Sequence, residues 1–480
     1  MKDSSNSITK RSEDFSQWYL DVIDSADMAE HAPVRGCMII KPYGYAIWEN
    51  IQKVLDAKFK EKGVQNAYFP LLIPESFMTK EADHIEGFAP ECATVTRVGS
   101  KKLEEDYIIR PTSETIIYDT FAKWLESYRD LPLLINQWCN VMRWELRPRL
   151  FLRTSEFLWQ EGHTCHYTSE EADNFAREML EVYKDFQQDF MATPVIAGEK
   201  TESERFAGAL RTYTVEAMMQ DGKAVQNGTS HFFGTGFASH FGVEFLDKDN
   251  QLKNPATTSW GVSTRMIGSL IMTHSDDLGL VLPPKIAPIQ VVIVPFLSNK
   301  EDQNKEVLEK VNQIEIDLKK IGVATKLDKR DMRFGEKMFE WEKKGVPVRL
   351  EFGPKDMAKN QCVLARRDTG EKTVVNLDNL TQEVSDLLDK IQTNLFDRAL
   401  KYQKEKTVEV TTWEEFTKAI EEGNFVVANY DGTKETEKKI KEELKATTRC
   451  IPFEIEQNVS GKCVYSGNEA KVRVIFGRSY

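Results

Sequence analysis

The sequence lacks the long apolar segments that are typical of membrane and secreted proteins. No run approaches the roughly 18 apolar residues that a membrane-spanning helix needs. The opening stretch, MKDSSNSITKRSEDFSQWYLD, contains no apolar core of the kind that marks a signal peptide. We therefore expect no membrane span and no signal peptide, and we expect the protein to be cytoplasmic.

A disulfide framework is missing as well. The chain has seven cysteines, an odd number, without regular spacing: Cys37, Cys92, Cys139, Cys165, Cys362, Cys450 and Cys463. Such a scattered set is typical of reduced thiols in the cytosol. The net charge of −12 disfavours nonspecific binding of nucleic acid, although it leaves room for a local basic surface.

The length of 480 residues is enough for several domains, and Pro-rich LPPKIAP, residues 282–288, separates two patterns. Beyond it, the pattern predicts strands at 289–295, 323–327 and 346–352, and helices at 307–321, 335–344 and 380–405. This alternation predicts a small α/β domain at 286–395. The remainder, 396–480, is predicted to be a small α+β domain.

Before the break, long helices separate the strand candidates. They are predicted at 44–62, 113–128 and 169–190. Thr168 and Glu171 have the spacing of a capping box at the start of the third helix. Strands so far apart in sequence predict an α+β domain on a mainly antiparallel sheet, covering 1–285.

The stretch RWELRPRLFLRTSEFLWQEGH, residues 143–163, concentrates arginines, carboxylates and aromatic rings. Arg143 and Glu145 are two residues apart, so on a strand both point to one face. A returning strand would add Arg153 and Phe157. Guanidinium groups suit phosphates and aromatic rings suit a base, so the stretch is a candidate nucleotide site. Surface ion pairs on a hairpin remain the simpler explanation of Arg-x-Glu alone.

Five stretches taken together favour a nucleotide site over surface ion pairs. They are RPTSET (110–115), RWE (143–145), FLWQEGHT (157–164), QNGTSHFFG (226–234) and SWGVSTR (259–265). With the apolar KGVQNAYFPLLIP (62–74), they resemble motifs 1, 2 and 3 of class II aminoacyl-tRNA synthetases. The chain closely resembles the prolyl-tRNA synthetase family in its eukaryotic/archaeal-like form, over nearly its whole length.

This resemblance implies ATP-dependent ligation of L-proline to tRNA(Pro) through a prolyl-adenylate, with Mg²⁺. It implies nucleotide contacts from Arg143, Glu145, Arg153, Thr154, Phe157, Gln226, Thr229, Ser263 and Arg265. It implies proline contacts from Thr112, Glu114, Arg143, Trp159, Glu161, His163, Phe206, His231 and Gly261. Arg143 and Arg265 are the residues expected to stabilise the reacting phosphate. Glu156 is expected to face solvent.

Other parts of the chain receive further expectations from the same resemblance. The 286–395 domain is expected to bind the anticodon, with Glu351, Lys355 and Arg366 as candidate contacts. A homodimer is expected to form through the apolar stretch around Pro70, where proline suggests an edge or interface. Tyr480 is expected to fold back towards the active site.

We expect no zinc site at residues 163–166 and none in the last domain. His163 and Cys165 share a strand face while His166 points away, and no second ligand pair is near in sequence. Relatives often carry a cysteine-rich zinc site in the last domain. Here Cys450 and Cys463 are the two cysteines of that region and no histidine follows His274, so four ligands are not available.

The segment between motifs 2 and 3 is too short for the inserted editing domain of bacterial-type relatives. Because an apolar pocket rejects a smaller ligand by only about 1–3 kcal/mol per methylene, we expect some activation of alanine and correction by another protein. Two alternatives stay open: another class II synthetase, threonyl first, or a catalytically silent tRNA-binding paralogue. The amino acid that stimulates ATP–diphosphate exchange separates them.

Overall fold

A computed structural model describes residues 8–79, 92–297, 301–457 and 459–480. Its helices are α1 Phe15–Ser25, α2 Pro42–Glu61, α3 Glu75–Thr79, α4 Glu114–Trp124, α5 Ser169–Asp189, α6 Gly236–His240, α7 Arg265–His274, α8 Glu301–Lys320, α9 Phe334–Lys343, α10 Pro354–Ala358, α11 Leu380–Glu405, α12 Trp413–Glu421 and α13 Lys434–Leu444. Within the described ranges, none of these helices has the length and apolar character needed to cross a membrane.

The strands form one large sheet and four smaller ones. They are β1 Ala29–His31, β2 Met38–Ile40, β3 Gln65–Asn66, β4 Leu72–Pro74, β5 Thr94–Val98, β6 Lys101–Ile109, β7 Leu133–Met142, β8 Glu156–His166, β9 Val195–Glu199, β10 Arg211–Met218, β11 Ala224–Gly234, β12 Phe245–Leu246, β13 Leu252–Lys253, β14 Ala256–Ser263, β15 Val291–Pro295, β16 Thr325–Leu327, β17 Val348–Phe352, β18 Gln361–Arg366, β19 Lys372–Asn376, β20 Thr407–Glu409, β21 Phe425–Tyr430, β22 Thr447–Pro452 and β23 Val472–Gly477.

The large sheet has the order β20-β21-β23-β22-β9-β10-β11-β14-β8-β7-β3. Its neighbours are antiparallel except at the two ends, where β20 pairs with β21 and β3 with β7 in parallel. The expected mainly antiparallel sheet is therefore confirmed. The smaller five-stranded sheet, β16-β15-β17-β18-β19, is mixed, and it confirms the α/β alternation predicted after the proline-rich break.

Helix α5 explains why one face of the large sheet is apolar. Thr168 Oγ1 accepts from Glu171 N, and the Glu171 carboxylate accepts from Thr168 N, which completes the predicted capping box. The buried stripe of α5, including Tyr183 and Phe186, joins Trp260 of β14 in the main apolar cluster. The opposite face of the sheet is covered by α4 and α6, whose rings Tyr118 and Phe237 lie 4.8 Å apart.

The last segment of the chain continues the large sheet. Strand β22 pairs with β9 over two residue pairs, and buried Glu216 lies beside this junction. Glu216 accepts from Lys200 Nζ at 2.8 Å and from Arg449 Nη2 at 3.0 Å. Removing one partner from a buried ion group leaves an uncompensated charge, at a cost of about 3–5 kcal/mol. This segment is therefore fixed against the core.

The second domain is held to the core by a bidentate ion pair. Arg367 donates from both Nη atoms to the two carboxylate oxygens of Asp276, each at 2.7 Å. Gln392 of α11 donates to the backbone oxygen of Asp189 at the end of α5. Helix α11 is continuous from Leu380 to Glu405, so the expected boundary at 395/396 falls within a helix.

The stretch 62–74 is divided at Pro70, since β3 belongs to the large sheet and β4 to the three-stranded sheet β4-β6-β5. One local expectation was wrong. The helix expected at 113–128 ends at Trp124, because Leu125 adopts an extended conformation. Pro70 is exposed between β3 and β4 and lies in neither strand.

Gly162 on β8 gives a stability prediction. A Cβ atom at this position would lie 2.2 Å from the Trp260 ring, which is itself buried in the main cluster. We expect Gly162→Ala to lower the free energy of unfolding by about 1–3 kcal/mol through overpacking, measured by denaturant titration with far-UV circular dichroism. Gly335→Ala is the matched control, because a Cβ there meets no atom within 4 Å. Equal unfolding midpoints for both variants would contradict this account of the core.

Candidate active site

One face of the large sheet brings the predicted site residues together. Successive side chains on a strand point to opposite faces, so Trp159, Glu161 and His163 of β8 share the face away from α5. Registers carry this face across the sheet. Gly261 of β14 pairs with Glu161 and with Thr229 of β11. Distant sequence motifs thus become neighbours through strand pairing.

Two adjoining cavities open on this face. We call the first the amino-acid cavity, after the predicted proline contacts, and it has a volume of about 260 Å³. All of those predicted contacts line it: Thr112, Glu114, Arg143, Trp159, Glu161, His163, Phe206, His231 and Gly261. We call the second the nucleotide cavity, after the predicted nucleotide contacts; it has a volume of about 330 Å³ and is lined by Glu145, Arg153 and Thr154 among others. Arg143, Phe157, Ser263 and Arg265 line both cavities. Gln226 and Thr229 line the amino-acid cavity.

Glu161 forms the floor of the amino-acid cavity and is 3% exposed. Its Oε1 accepts from the Ser113 hydroxyl and from Gln137 Nε2, the latter at 3.0 Å. Its Oε2 lies 3.1 Å from His163 Nε2. A buried carboxylate is costly unless several donors satisfy it, and these contacts supply them.

The same contacts shift the pKa values of Glu161 and His163. Burial would raise the pKa of Glu161, but the hydrogen bond and charge of His163 outweigh it, and the net shift is downward. Burial would lower the pKa of His163, but the bond to Glu161 and the charge of Glu114 raise it overall. The floor is thus an internal ion pair. Glu114, whose Oε2 accepts from the Thr112 hydroxyl, supplies the further carboxylate.

His231 lies on the opposite wall and behaves differently. Burial lowers its pKa to about 3, with a further contribution from the charge of His163, so the ring is neutral. Its Nδ1 lies 3.0 Å from Thr212 Oγ1, which also accepts from Phe206 N. The Phe206 and His231 rings are 4.5 Å apart. This side of the cavity offers flat apolar faces, which suit a compact aliphatic ring.

Arg143 stands at the junction of the two cavities. Its Nε donates to the Pro111 carbonyl at 2.9 Å, and its guanidinium lies 5.5 Å from the Phe157 ring and 5.4 Å from the Trp159 ring. The expectation that Arg143 and Glu145 share a strand was wrong, because β7 ends at Met142. The ring contacts and the Pro111 bond, rather than strand geometry, orient Arg143.

Three arginines, Arg143, Arg153 and Arg265, line the nucleotide cavity. Arg265 donates from Nε to the Leu152 carbonyl at 3.1 Å, which turns its guanidinium towards the loop between β7 and β8. Burial, together with the positive charges of Arg153 and Arg143, lowers the pKa of Arg265 to about 10. Such repulsion is relieved by a bound anion, so the arrangement suits phosphate groups.

The remaining nucleotide-side residues are partly engaged. Glu145 Oε2 lies 3.5 Å from Arg153 Nε, and the Thr154 hydroxyl donates to the Glu156 carbonyl at 2.7 Å. Arg153 belongs to the loop before β8, whereas Phe157 is on β8. Glu156 is exposed and accepts from Asn140 Nδ2 at 2.8 Å, as a solvent-facing carboxylate does.

The residues considered for zinc are dispersed. His166 packs against Phe175 on the α5 side, opposite His163, and Cys165 lies in the apolar cluster of α4 and α6. Cys450 lies against Gly198 at the β22–β9 junction, while Cys463 is buried in the cluster of the last segment. Within the described ranges, no group of three metal-ligating side chains occurs.

The three anticodon candidates do not form one surface. Glu351 pairs with Val363 across β17 and β18 while Arg366 pairs with Val348, so their side chains point to opposite faces. Glu351 is bound by Arg349 and Lys372, and Arg366 by Asp368. Lys355 is exposed on α10.

Sequence reasoning missed the residues that orient the site. Gln137 of β7 and Ser113 hold Glu161, but a lone glutamine in a strand gives no signal. Arg110, fully buried, donates to the carbonyls of Phe69 and Asn140 and so fixes the loop that carries Thr112 and Glu114. Its place in RPTSET was the available signal.

Comparison with known proteins shows the family of the chain. Three family models match in succession: the tRNA synthetase class II core domain (G, H, P, S and T) at residues 95–274, the anticodon binding domain at 290–387, and the prolyl-tRNA synthetase C-terminal domain at 413–480. The proline–tRNA ligases of Bacteroides fragilis and Chloroherpeton thalassium are 56% identical and that of Phocaeicola vulgatus 55%, each over 98% of this chain and 99% of the relative. The chain belongs to the prolyl-tRNA synthetase family.

Proposed function

We propose that the chain joins L-proline to tRNA(Pro) in two steps, of which the first consumes ATP. Proline and ATP would bind in the two adjoining cavities. The observation that carries this proposal is the shared wall formed by Arg143, Phe157, Ser263 and Arg265. A carboxylate held on one side of this wall meets a triphosphate held on the other. Proximity of this kind supplies a large part of the catalytic effect.

The amino-acid cavity matches the charges of proline. Glu161 and His163 neutralise each other, so Glu114 rather than Glu161 receives the secondary ammonium, together with the Thr112 hydroxyl. Arg143 receives the substrate carboxylate. Trp159, Phe206, neutral His231 and Gly261 enclose the ring. These roles place one cation and one anion opposite a zwitterion.

In the first step, an oxygen of the proline carboxylate attacks the α-phosphorus of ATP. The bond from that phosphorus to the bridging oxygen breaks, and diphosphate leaves with the electron pair. Phe157 and Arg265 hold the adenine, Glu145 accepts from its amine, and Arg153 with Thr154 binds the outer phosphates. Fixed guanidinium groups stabilise the charge that develops, so this step requires no side-chain general base.

In the second step, a terminal ribose hydroxyl of tRNA attacks the prolyl carbonyl of the adenylate and AMP leaves. The 286–395 domain would bind the anticodon, with exposed Lys355 as the more accessible candidate; Glu351 and Arg366 would first have to exchange their internal ion pairs. The proposed division into 1–285, 286–395 and 396–480 is supported by three main apolar clusters, although the cluster of the first domain extends past 285 to Ile286 and Ala287 and helix α11 spans the 395/396 boundary.

Mg²⁺ fits this site as an ion that the triphosphate itself largely holds. Gln226, Thr229 and Ser263 offer neutral oxygen atoms beside the arginines, and Mg²⁺ commonly combines such donors with substrate phosphates and water. When bound, the ion would neutralise phosphate charge. Structural zinc is not part of the proposal.

We also infer a cytoplasmic location from the cysteine pattern.

Arg143 gives the direct test of the shared wall. We expect Arg143→Ala to lower kcat for proline-dependent ATP–diphosphate exchange by about 100- to 1,000-fold, because a preorganised charge at the reacting phosphate is lost. Arg143→Lys should be intermediate, since lysine keeps the charge but not the fork. Arg97→Ala, on exposed β5, is the control. Full activity of Arg143→Ala would refute the assignment.

We also propose a homodimer through the surface around Pro70. Tyr68, Leu72 and Trp124 are 72%, 39% and 49% exposed there, an apolar patch next to the edge strand β3. Sedimentation velocity at micromolar concentration should report a dimer, and Tyr68→Glu should shift it towards monomer. Tyr45→Glu is the control, because Tyr45 is 41% exposed on α2. A wild-type monomer would rule out this interface.

A further inference from the structure

A third cavity, of about 580 Å³, lies between the last segment of the chain and the nucleotide cavity. We name it the basic cavity. The loop between β7 and β8 contributes Arg147 and Arg149, the turn between β10 and β11 contributes Lys223, and α13 with its C-terminal flank contributes Lys441 and Lys445. Eight cationic side chains line it in all, against the single carboxylate side chain of Glu204.

This concentration of positive charge is largely uncompensated, although the chain as a whole carries −12. Among the residues that the structure describes, Arg153, Lys223 and Arg449 have a carboxylate within 4.0 Å. The other five cations of the cavity have none in those ranges. Because like charges repel when crowded, such a cluster is stabilised by an anion that occupies it.

The basic cavity is continuous with the reaction site. Arg153 and Arg265 line both the basic cavity and the nucleotide cavity, and Gln226 lines both the basic cavity and the amino-acid cavity. Arg449, 5% exposed and fixed by Glu216, belongs to its wall. An anion that moves past Arg153 and Arg265 therefore enters a second set of cations contributed by the last segment of the chain.

We propose that the basic cavity receives the diphosphate that leaves in the first step, with Lys441 and Lys445 drawing it away from Arg153. This inference rests on the proposed function, which supplies the diphosphate. An inorganic oligophosphate suits a cavity of this volume lined by guanidinium and ammonium groups. A nucleic-acid strand is the competing occupant. It would not require the basic cavity to be continuous with Arg153, which is proposed to bind the outer phosphates of ATP.

The test uses the full chain with the paired substitution Lys441→Gln/Lys445→Gln. In ATP–diphosphate exchange with proline, we expect the half-saturating diphosphate concentration to rise about fivefold, as two exposed phosphate contacts are lost. The KM values for ATP and proline should stay unchanged. Lys438→Gln/Lys439→Gln is the matched control, since these lysines lie exposed on the same helix and do not line the cavity.

The outcomes are separable. An unchanged half-saturating diphosphate concentration in the paired variant overturns the inference, as does a higher KM for tRNA with diphosphate unaffected, which would assign the cavity to nucleic acid. Wild-type protein without proline-dependent exchange would overturn the proposed function instead. Circular dichroism checks that each variant is folded, and Lys441→Gln alone replaces the pair if it is not. A rise in that single variant supports the inference, and no change overturns it.

Discussion

The ion pair between Glu161 and His163 is the constraint on which the site depends. Both groups are buried on the sheet face that the cavities occupy, and neither would be stable there alone. Ser113, Gln137 and the strand register fix their positions. Because Glu161 and His163 pair with each other, Glu114 and Arg143 are the charged groups proposed to bind the ammonium and the carboxylate of the substrate.

The second organising feature is the placement of positive charge in an acidic chain. Arg143 and Arg153 are close enough to Arg265 that their positive charges, together with its burial, lower the pKa of Arg265. The protein tolerates this because backbone carbonyls and aromatic rings hold the guanidinium groups. A site built this way is poised for an anion and is relieved by binding one.

The last segment does more than extend the chain. Its strands join the large sheet at β22–β9, and Arg449 reaches Glu216 in the core. The same segment lines the basic cavity beside Tyr480, whose backbone N–H donates to Ala224 and whose ring lies 5.1 Å from the Arg149 guanidinium. The contacts that fix the last segment to the large sheet therefore also place its cationic side chains beside the nucleotide cavity.

Much of this was readable from the sequence, for identifiable reasons. The strands and helices after the break have strong periodicity, and α11 was placed at its observed limits of 380–405. The residues predicted for the site line two adjoining cavities, and most of them come from the short motifs on which the resemblance rests. What could not be read was long-range: the fusion of β22 with β9, the split of 62–74 between two sheets, and the opposite facing of Glu351 and Arg366. Strand partners and registers of this kind have no local signature.

The most direct measurement is ATP–diphosphate exchange by the wild-type protein with each of the twenty amino acids. We expect strong exchange with proline, weak exchange with alanine and none with threonine. Alanine should react weakly because a smaller side chain loses only about 1–3 kcal/mol per methylene in an apolar pocket. Absence of alanine exchange would refute the expected alanine activation alone. Exchange with threonine in place of proline, or with no amino acid from folded protein, would contradict the central claim.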